Sequence, residues 1–187
     1  DCGMFQGSKR IERQNKIPAY ILSKKLDAVL LTHAHLDHSG YIPRMVRDGF
    51  TGHIYCSEAT FDLCKILLPD SGHIQEEDAE MANRHGYSKH NPAMPLYTEA
   101  EARACLQYFR PVSFGQPHGL NDELNFTLYR AGHILGASFI RVSDSSTSIL
   151  FSGDTNLYPG EKPHRLGLKH GMNLTLTCGK SHLYASD

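Results

Sequence analysis

The sequence has 187 residues, 40% of them hydrophobic and 21% charged, which predicts one globular domain or part of a larger protein and excludes a disordered chain. Its formal net charge of -1 excludes a polybasic field over the whole surface as a basis for nucleic-acid binding, although not a local basic patch. No apolar run approaches the roughly 20 residues of a membrane-spanning helix, and residues 1–7 do not resemble a secretory leader. The five cysteines are scattered along the sequence, which predicts a reducing compartment, the cytoplasm, and not a disulfide scaffold.

In chain order, the first half is predicted to alternate strands and helices. Residues 26–32 form a compact apolar run with β-branched members, which is typical of a buried strand. The elements that follow are a helix at residues 41–48, a strand at 52–56 and a helix at 58–68. We expect Pro69 to end that last helix, because proline cannot donate a helical hydrogen bond, and we expect residues 70–97 to be irregular.

The second half is predicted to begin with a helix and to continue as strands. Thr98 and Glu101 have the spacing of a capping box, which predicts a helix from there to about residue 109. Short strands are predicted at residues 124–129, 139–142 and 148–151, with a turn at 144–146. Because helices and strands alternate, the fold class is predicted to be α/β.

The segment HAHLDH at residues 33–38 carries most of the chemical information. It places three imidazoles and one carboxylate within six residues, directly after the predicted buried strand. Zinc accepts imidazole nitrogen and carboxylate oxygen and is usually four-coordinate. Four ligand-type side chains so close together on a loop indicate two adjacent metal ions, which could hold both sides of an in-line displacement.

This segment resembles the H-x-H-x-D-H signature of the metallo-β-lactamase fold. Further motifs of that family follow in order: Asp1 at its first position, His133 within AGHILGAS (131–138), and Asp154 within FSGD (151–154). The extended strings around residues 1–7, 31–40, 68–79 and 131–138 resemble the β-CASP branch, whose members are nucleases that process RNA and DNA. The resemblance implies an α/β fold, the four-layer αββα sandwich, and cleavage of RNA phosphodiester bonds.

The resemblance also implies roles for individual residues. One zinc would be held by His33, His35 and His133, and the other by Asp37 and His38, with Asp154 bridging the two. The catalytic residues would be Asp37, His38 and Asp154, through a hydroxide bound by both zinc ions that attacks phosphorus. Asp1 would orient a ligand histidine from behind. His35 argues against the diiron oxidoreductases of this fold, which carry a carboxylate at that position.

The match fades toward the end of the sequence. We expect residues 1–162 to be the N-terminal portion of the metallo-β-lactamase domain and residues 163–187 to be a divergent tail. The sequence does not contain the β-CASP cap domain or the further histidine ligand of the family. A strand of the family usually ends in a characteristic glutamate; the corresponding residues here, 174–180, are LTLTCGK and contain no glutamate. The expectation is therefore a truncated piece of a longer enzyme that is not fully active by itself; homo-oligomer formation by the full-length parent stays open.

Two alternatives remain at this point. One is a small-molecule hydrolase of the same fold, such as a thioesterase or lactonase, and the other is an inactive fragment that binds only metal. Asp70 and His73 are candidates for lining a substrate cleft. His164, His170 and His182 are interpreted as loop histidines and not as replacements for the missing ligand.

Overall fold

The computed structural model describes residues 1–7, residue 15 and residues 26–155. Their strands form two sheets. The first is parallel, in the order β1 (Ala28–Leu30), β2 (His53–Cys56) and β3 (Phe109–Pro111). The second is antiparallel, in the order β4 (Pro117–Gly119), β5 (Asn125–Arg130), β6 (Ser138–Ser143) and β7 (Ser148–Phe151).

Four helices connect the strands of the parallel sheet. They are α1 (Leu36–Ser39), α2 (Ile42–Arg47), α3 (Glu58–His85) and α4 (Glu99–Cys105). The sequence therefore alternates between strand and helix up to β3 and continues as antiparallel hairpins, and the α/β prediction is confirmed.

Alternation along β1 explains how the layers pack. Val29 belongs to a core cluster shared with buried residues of the helices, such as Ile42 and Leu68. Its neighbour Leu30 instead packs against a cluster formed by β5 and β6, which includes Phe126. Because successive side chains of a strand point to opposite faces, the parallel sheet lies between the helices and the antiparallel sheet. Helices, sheet and sheet make up three of the four layers of the expected sandwich.

The prediction that Pro69 ends a helix was wrong, and so was the prediction of irregular structure directly after it. Helix α3 continues through Pro69 to His85 and ends at Gly86, whose φ of 66° is left-handed. Proline removes one backbone hydrogen bond from the helix, but tertiary packing offsets that loss. Pro69 is buried, and two residues further on Ser71 accepts a 2.9 Å hydrogen bond from the hydroxyl of the fully buried Tyr97.

The capping-box prediction for α4 is confirmed. The Thr98 hydroxyl accepts from the backbone N–H of Glu101 at 3.1 Å, and the Glu101 carboxylate accepts from the N–H of Thr98 at 2.9 Å. The predicted end near residue 109 was wrong, since α4 ends at Cys105. A 3₁₀ turn (Leu106–Tyr108) follows, and Phe109 already belongs to β3.

The predicted strands of the second half are confirmed within a residue or two of their ends. Asp144 forms the turn between β6 and β7 by accepting from the N–H groups of Ser146 and Thr147 at 2.7 and 2.6 Å. The four cysteines within the described residues are free thiols, and burial raises the pKa of Cys56 and Cys105 to about 12, which leaves them protonated. None of the described helices is both long and apolar enough to cross a membrane.

Candidate metal centre

Segments far apart in the sequence meet at the end of β1. The loop and short helix after β1 carry residues 33–38, the turn between β5 and β6 carries His133, and the segment after β7 carries Asp154. Asp1 lies beside them, because its backbone nitrogen donates to the carbonyl of Leu30 at 2.8 Å. The fold thus brings together all seven residues predicted to form the site.

Three imidazole nitrogens converge on one point. His35 Nδ1 lies 3.0 Å from His33 Nε2 and 3.2 Å from His133 Nε2. Ligands about 2.0–2.1 Å from a tetrahedral zinc ion are about 3.3 Å apart, so these spacings fit nitrogens that share a metal. Ligand atoms of the three histidines and Asp154 all lie within 4.8 Å of one another. The donor set of three imidazoles and one carboxylate also suits zinc.

The charge state of His33 favours metal binding. Its side chain is fully buried, and burial, assisted by the neighbouring His38 and His35, lowers the pKa of His33 to about 3, although the Asp154 carboxylate acts in the opposite direction. His33 is therefore neutral near pH 7. A neutral imidazole keeps a lone pair on one nitrogen, which is the form that binds a metal.

A second group of ligand atoms lies on the other side of Asp154. Its Oδ1 lies 3.4 Å from Nε2 of His38, whereas its Oδ2 lies 3.8 Å from Nε2 of His133. The Asp37 carboxylate lies 4.0 Å from the same His38 nitrogen, and 64% of its side chain is exposed. Asp154 thus stands between the three-histidine group and the pair of Asp37 and His38, where a bridging ligand would be.

Asp1 supports the site from behind through three short contacts. Its Oδ2 lies 2.7 Å from Nδ1 of His38 and accepts from the Thr32 hydroxyl at 2.9 Å, while its Oδ1 accepts from the Thr32 N–H at 2.7 Å. A carboxylate can only accept, so geometry assigns the His38 proton to Nδ1 and leaves the Nε2 lone pair directed at Asp154 and Asp37. The prediction that Asp1 orients a ligand histidine concerns this contact with His38.

Thr32 is a member of this cluster that the sequence analysis did not single out. Its hydroxyl donates to Asp1, so it accepts from Nδ1–H of His33 at 3.0 Å. That hydrogen bond fixes the His33 tautomer and leaves Nε2 free for a metal. The only available signal was position: Thr32 is the last residue of the predicted strand and directly precedes the first histidine.

His133 is held differently from His33 and His38. Its Nδ1 is buried and has no hydrogen-bond partner among the residues that the structure describes. The Nε2 atom is the one that faces His35. Among the described residues, the orientation of this ring is therefore set by its backbone and by packing, and not by a hydrogen bond to its second nitrogen.

Asp70 and His73, the candidates for lining a substrate cleft, both lie on α3. His73 is on α3, where it lies 3.5 Å from Glu77 and 3.7 Å from Glu99 in exposed ion pairs. That position is about 20 Å along the helix axis from the first turn of α3, at 1.5 Å per residue. Asp70 is exposed one turn earlier. The predicted tail, its boundary at residue 162 and the three histidines at 164, 170 and 182 lie outside the described residues.

Sequence comparison agrees with this geometry. Residues 1–158 match the profile of a family described as "Metallo-beta-lactamase superfamily domain". The chain belongs to the metallo-beta-lactamase superfamily, as its motifs predicted.

Curated relatives place it more narrowly. Ribonuclease TTHA0252 of Thermus thermophilus is 33% identical over 154 residues, which are 82% of this chain and 31% of the relative. Transcription termination factor FttA of Methanocaldococcus jannaschii is 33% identical over 131 residues, 69% of this chain and 19% of the relative. Integrator complex subunit 11 of Danio rerio is 32% identical over 165 residues, 85% of this chain and 25% of the relative. These relatives are β-CASP nucleases, which confirms the predicted branch, and the matched part of the chain spans 19–31% of their length.

Proposed function

We propose that this chain carries the metal centre of a zinc-dependent ribonuclease. The observation that carries the proposal is the convergence of His33, His35 and His133 at 3.0 and 3.2 Å beside Asp154. It is supported by similarity to a protein named as a ribonuclease. The chain spans only part of these relatives, so the activity is proposed for the protein to which this sequence belongs.

We assign two zinc ions to the site. The distances of Asp154 to His38 and to His133 support a bridging role for its carboxylate. His33, His35 and His133 would hold the first ion through their converging nitrogens. The ligands of the two ions are His33, His35, His133 and Asp154 for the first, and Asp37, His38 and Asp154 for the second.

The protein's own residues prepare this site before a substrate arrives. Asp1 holds the proton of His38 on Nδ1, and Thr32 holds that of His33 on Nδ1, so both Nε2 atoms present lone pairs. The Asp37 side chain is 64% exposed, so solvent and a phosphate group can reach this member of the site. Bound zinc would supply charge neutralisation at the phosphate oxygens and a water whose pKa is lowered to about 7.

Metal stoichiometry tests the assignment. Purified protein saturated with zinc and then desalted should retain close to two zinc ions per chain by elemental analysis, and His33→Ala should lose most of the first. His90→Ala, which removes an exposed histidine outside the site, serves as the matched control and should retain both. Retention of less than one zinc ion per chain by the unmodified protein would support the inert-fragment alternative.

Substrate choice is tested separately. End-labelled single-stranded RNA and an acyl thioester are each incubated with the zinc-loaded chain and with the full-length parent protein. The Asp154→Asn variants of both proteins are assayed in the same way. We expect the parent protein to cleave RNA and Asp154→Asn to abolish that cleavage. Thioester turnover without RNA cleavage would replace the ribonuclease by a small-molecule hydrolase of the same fold.

Cytoplasmic location and homo-oligomer formation by the parent remain predictions. The free thiols of the described cysteines are compatible with a reducing compartment. Fractionation of cells that express the parent protein and its mass in solution would test the two predictions.

A further inference from the structure

The loop that carries His133 is closed upon itself. Residues 131–137 join β5 to β6, and the N–H of Ala131 donates to the carbonyl of Ala137 at 3.0 Å, while the N–H of Ala137 donates to that of Ile134 at 3.0 Å. Directly after the loop, the N–H and the hydroxyl of Ser138 both donate to the Thr32 carbonyl, at 2.9 and 3.0 Å. One end of the loop is thus fixed next to His33.

The other side of the loop is fixed by the first turn of α3. The carbonyl of Gly136 accepts from the hydroxyl of Ser57 at 2.7 Å and from that of Thr60 at 3.0 Å. Ser57 and Thr60 are 1% and 0% exposed, so water does not compete for these bonds. The Ser57 hydroxyl also accepts from the N–H of Thr60 at 3.2 Å as the N-cap of α3. We call these two hydroxyls and the Gly136 carbonyl the loop clamp.

Gly136 shows how closely the clamp is built. Its φ is 81°, a left-handed conformation that favours glycine. A Cβ atom at this position would lie 2.4 Å from the backbone nitrogen of Thr60 and 2.7 Å from the Ser57 hydroxyl. The first turn of α3 therefore packs directly on the loop backbone.

The loop clamp bears on how His133 is held in the site. His33 is oriented through Thr32 and His38 through Asp1, but Nδ1 of His133 has no such partner within the described part of the chain. The backbone that carries the His133 ring lies three residues before Gly136. We propose that Ser57 and Thr60 are positioning residues, which hold His133 in the metal centre through the Gly136 carbonyl. This inference rests on metal binding at the proposed site and does not depend on the substrate.

Two variants test the clamp. Thr60→Val keeps the shape of the side chain and removes one hydroxyl, and Ser57→Ala removes the other. We expect each to weaken zinc binding about 10-fold, and the double variant up to about 100-fold, the range typical of residues that support metal ligands. In the metal-free protein we also expect faster hydrogen exchange at the amides of Ala131, Ala137 and Ser138. Exchange is measured without metal, so it tests the clamp independently of the proposed function.

Matched controls separate positioning from loss of helix stability. Thr60→Ser keeps the hydroxyl and should restore zinc affinity and amide protection. Thr98→Ala removes the corresponding N-cap hydroxyl of α4 and should lower stability without changing zinc affinity. If Ser57→Ala did not fold, the Thr60→Val and Thr60→Ser pair would decide. Unchanged loop exchange in Thr60→Val, or an equal loss of affinity in Thr98→Ala, would overturn the proposal.

Discussion

Asp1 Oδ2 lies 2.7 Å from Nδ1 of His38, although 37 positions separate the two residues in the sequence. The His38 side chain is only 8% exposed and that of Asp1 is 25% exposed, so the contact is largely shielded from water. The same oxygen accepts from the Thr32 hydroxyl, which in turn accepts from His33. One carboxylate therefore sets the tautomers of a histidine in each of the two proposed ligand groups.

Replacing Asp1 by asparagine should weaken metal binding 10- to 100-fold. If the amide oxygen stays on the Thr32 N–H, the amide nitrogen faces Nδ1 of His38, and two donors then meet. His38 would relieve this conflict by moving its proton to Nε2, which blocks the metal. Zinc affinity measured by competition with a chelating dye checks this prediction. Asp48→Asn, on an exposed ion pair of α2, is the control and should leave the affinity unchanged.

Thr32→Val should lower zinc affinity about tenfold, since valine fills the same space but cannot accept from Nδ1–H of His33. A buried N–H left without an acceptor costs about 1–3 kcal/mol, so the free energy of unfolding should fall as well. Thr32→Ser keeps the hydroxyl and should recover most of the affinity. Equal zinc affinity in the valine and serine variants would show that the hydroxyl has no orienting role.

The metal-free protein should become less stable as the pH is lowered from 7.5 to 5. The unfolded chain protonates a histidine below about pH 6.5, whereas burial keeps the pKa of His33 near 3 in the folded state. The unfolded state therefore binds more protons than the folded state over this interval. The contribution of His33 lowers the free energy of unfolding by at most about 1.4 kcal/mol for each pH unit. Urea midpoints at the two pH values measure it.

His33→Asn should reduce that pH dependence, because asparagine does not titrate. The control is His90→Ala, which removes an exposed histidine and should leave the slope unchanged. A slope in His33→Asn equal to that of the unmodified protein would contradict the assignment of a buried, neutral His33.

Gly72→Ala should destabilise the protein by about 1–2 kcal/mol, although alanine favours a helix by about 1 kcal/mol over glycine. An added Cβ would lie 2.8 Å from backbone atoms of Thr98 and Glu99, so α3 and α4 would have to separate. Asp70→Ala, exposed on the same helix, should change stability by less than about 0.5 kcal/mol. A more stable Gly72→Ala variant by chemical denaturation would contradict this packing.

Residue types and short-range interactions in the sequence predict the kind of site and several of the helices and strands. The HAHLDH segment predicts a metal site because imidazole and carboxylate are ligand types, whereas His133 and Asp154 are predicted only through the resemblance to the family's motifs. Thr98 and Glu101 predicted their capping box because both partners lie within one turn. Local interactions of this kind do not depend on the rest of the fold.

Contacts between segments that are distant in the sequence account for the features that the sequence analysis did not predict. Pro69 disfavours a helix locally, yet packing of the buried side of α3 against residues 97–99 carries the helix through it. The contacts of Ser57 and Thr60 with the Gly136 carbonyl could not be predicted from the sequence, because that carbonyl lies 79 and 76 positions away. A hydroxyl becomes an orienting group only when folding buries it beside a ligand, and that placement belongs to the assembled sheets and helices.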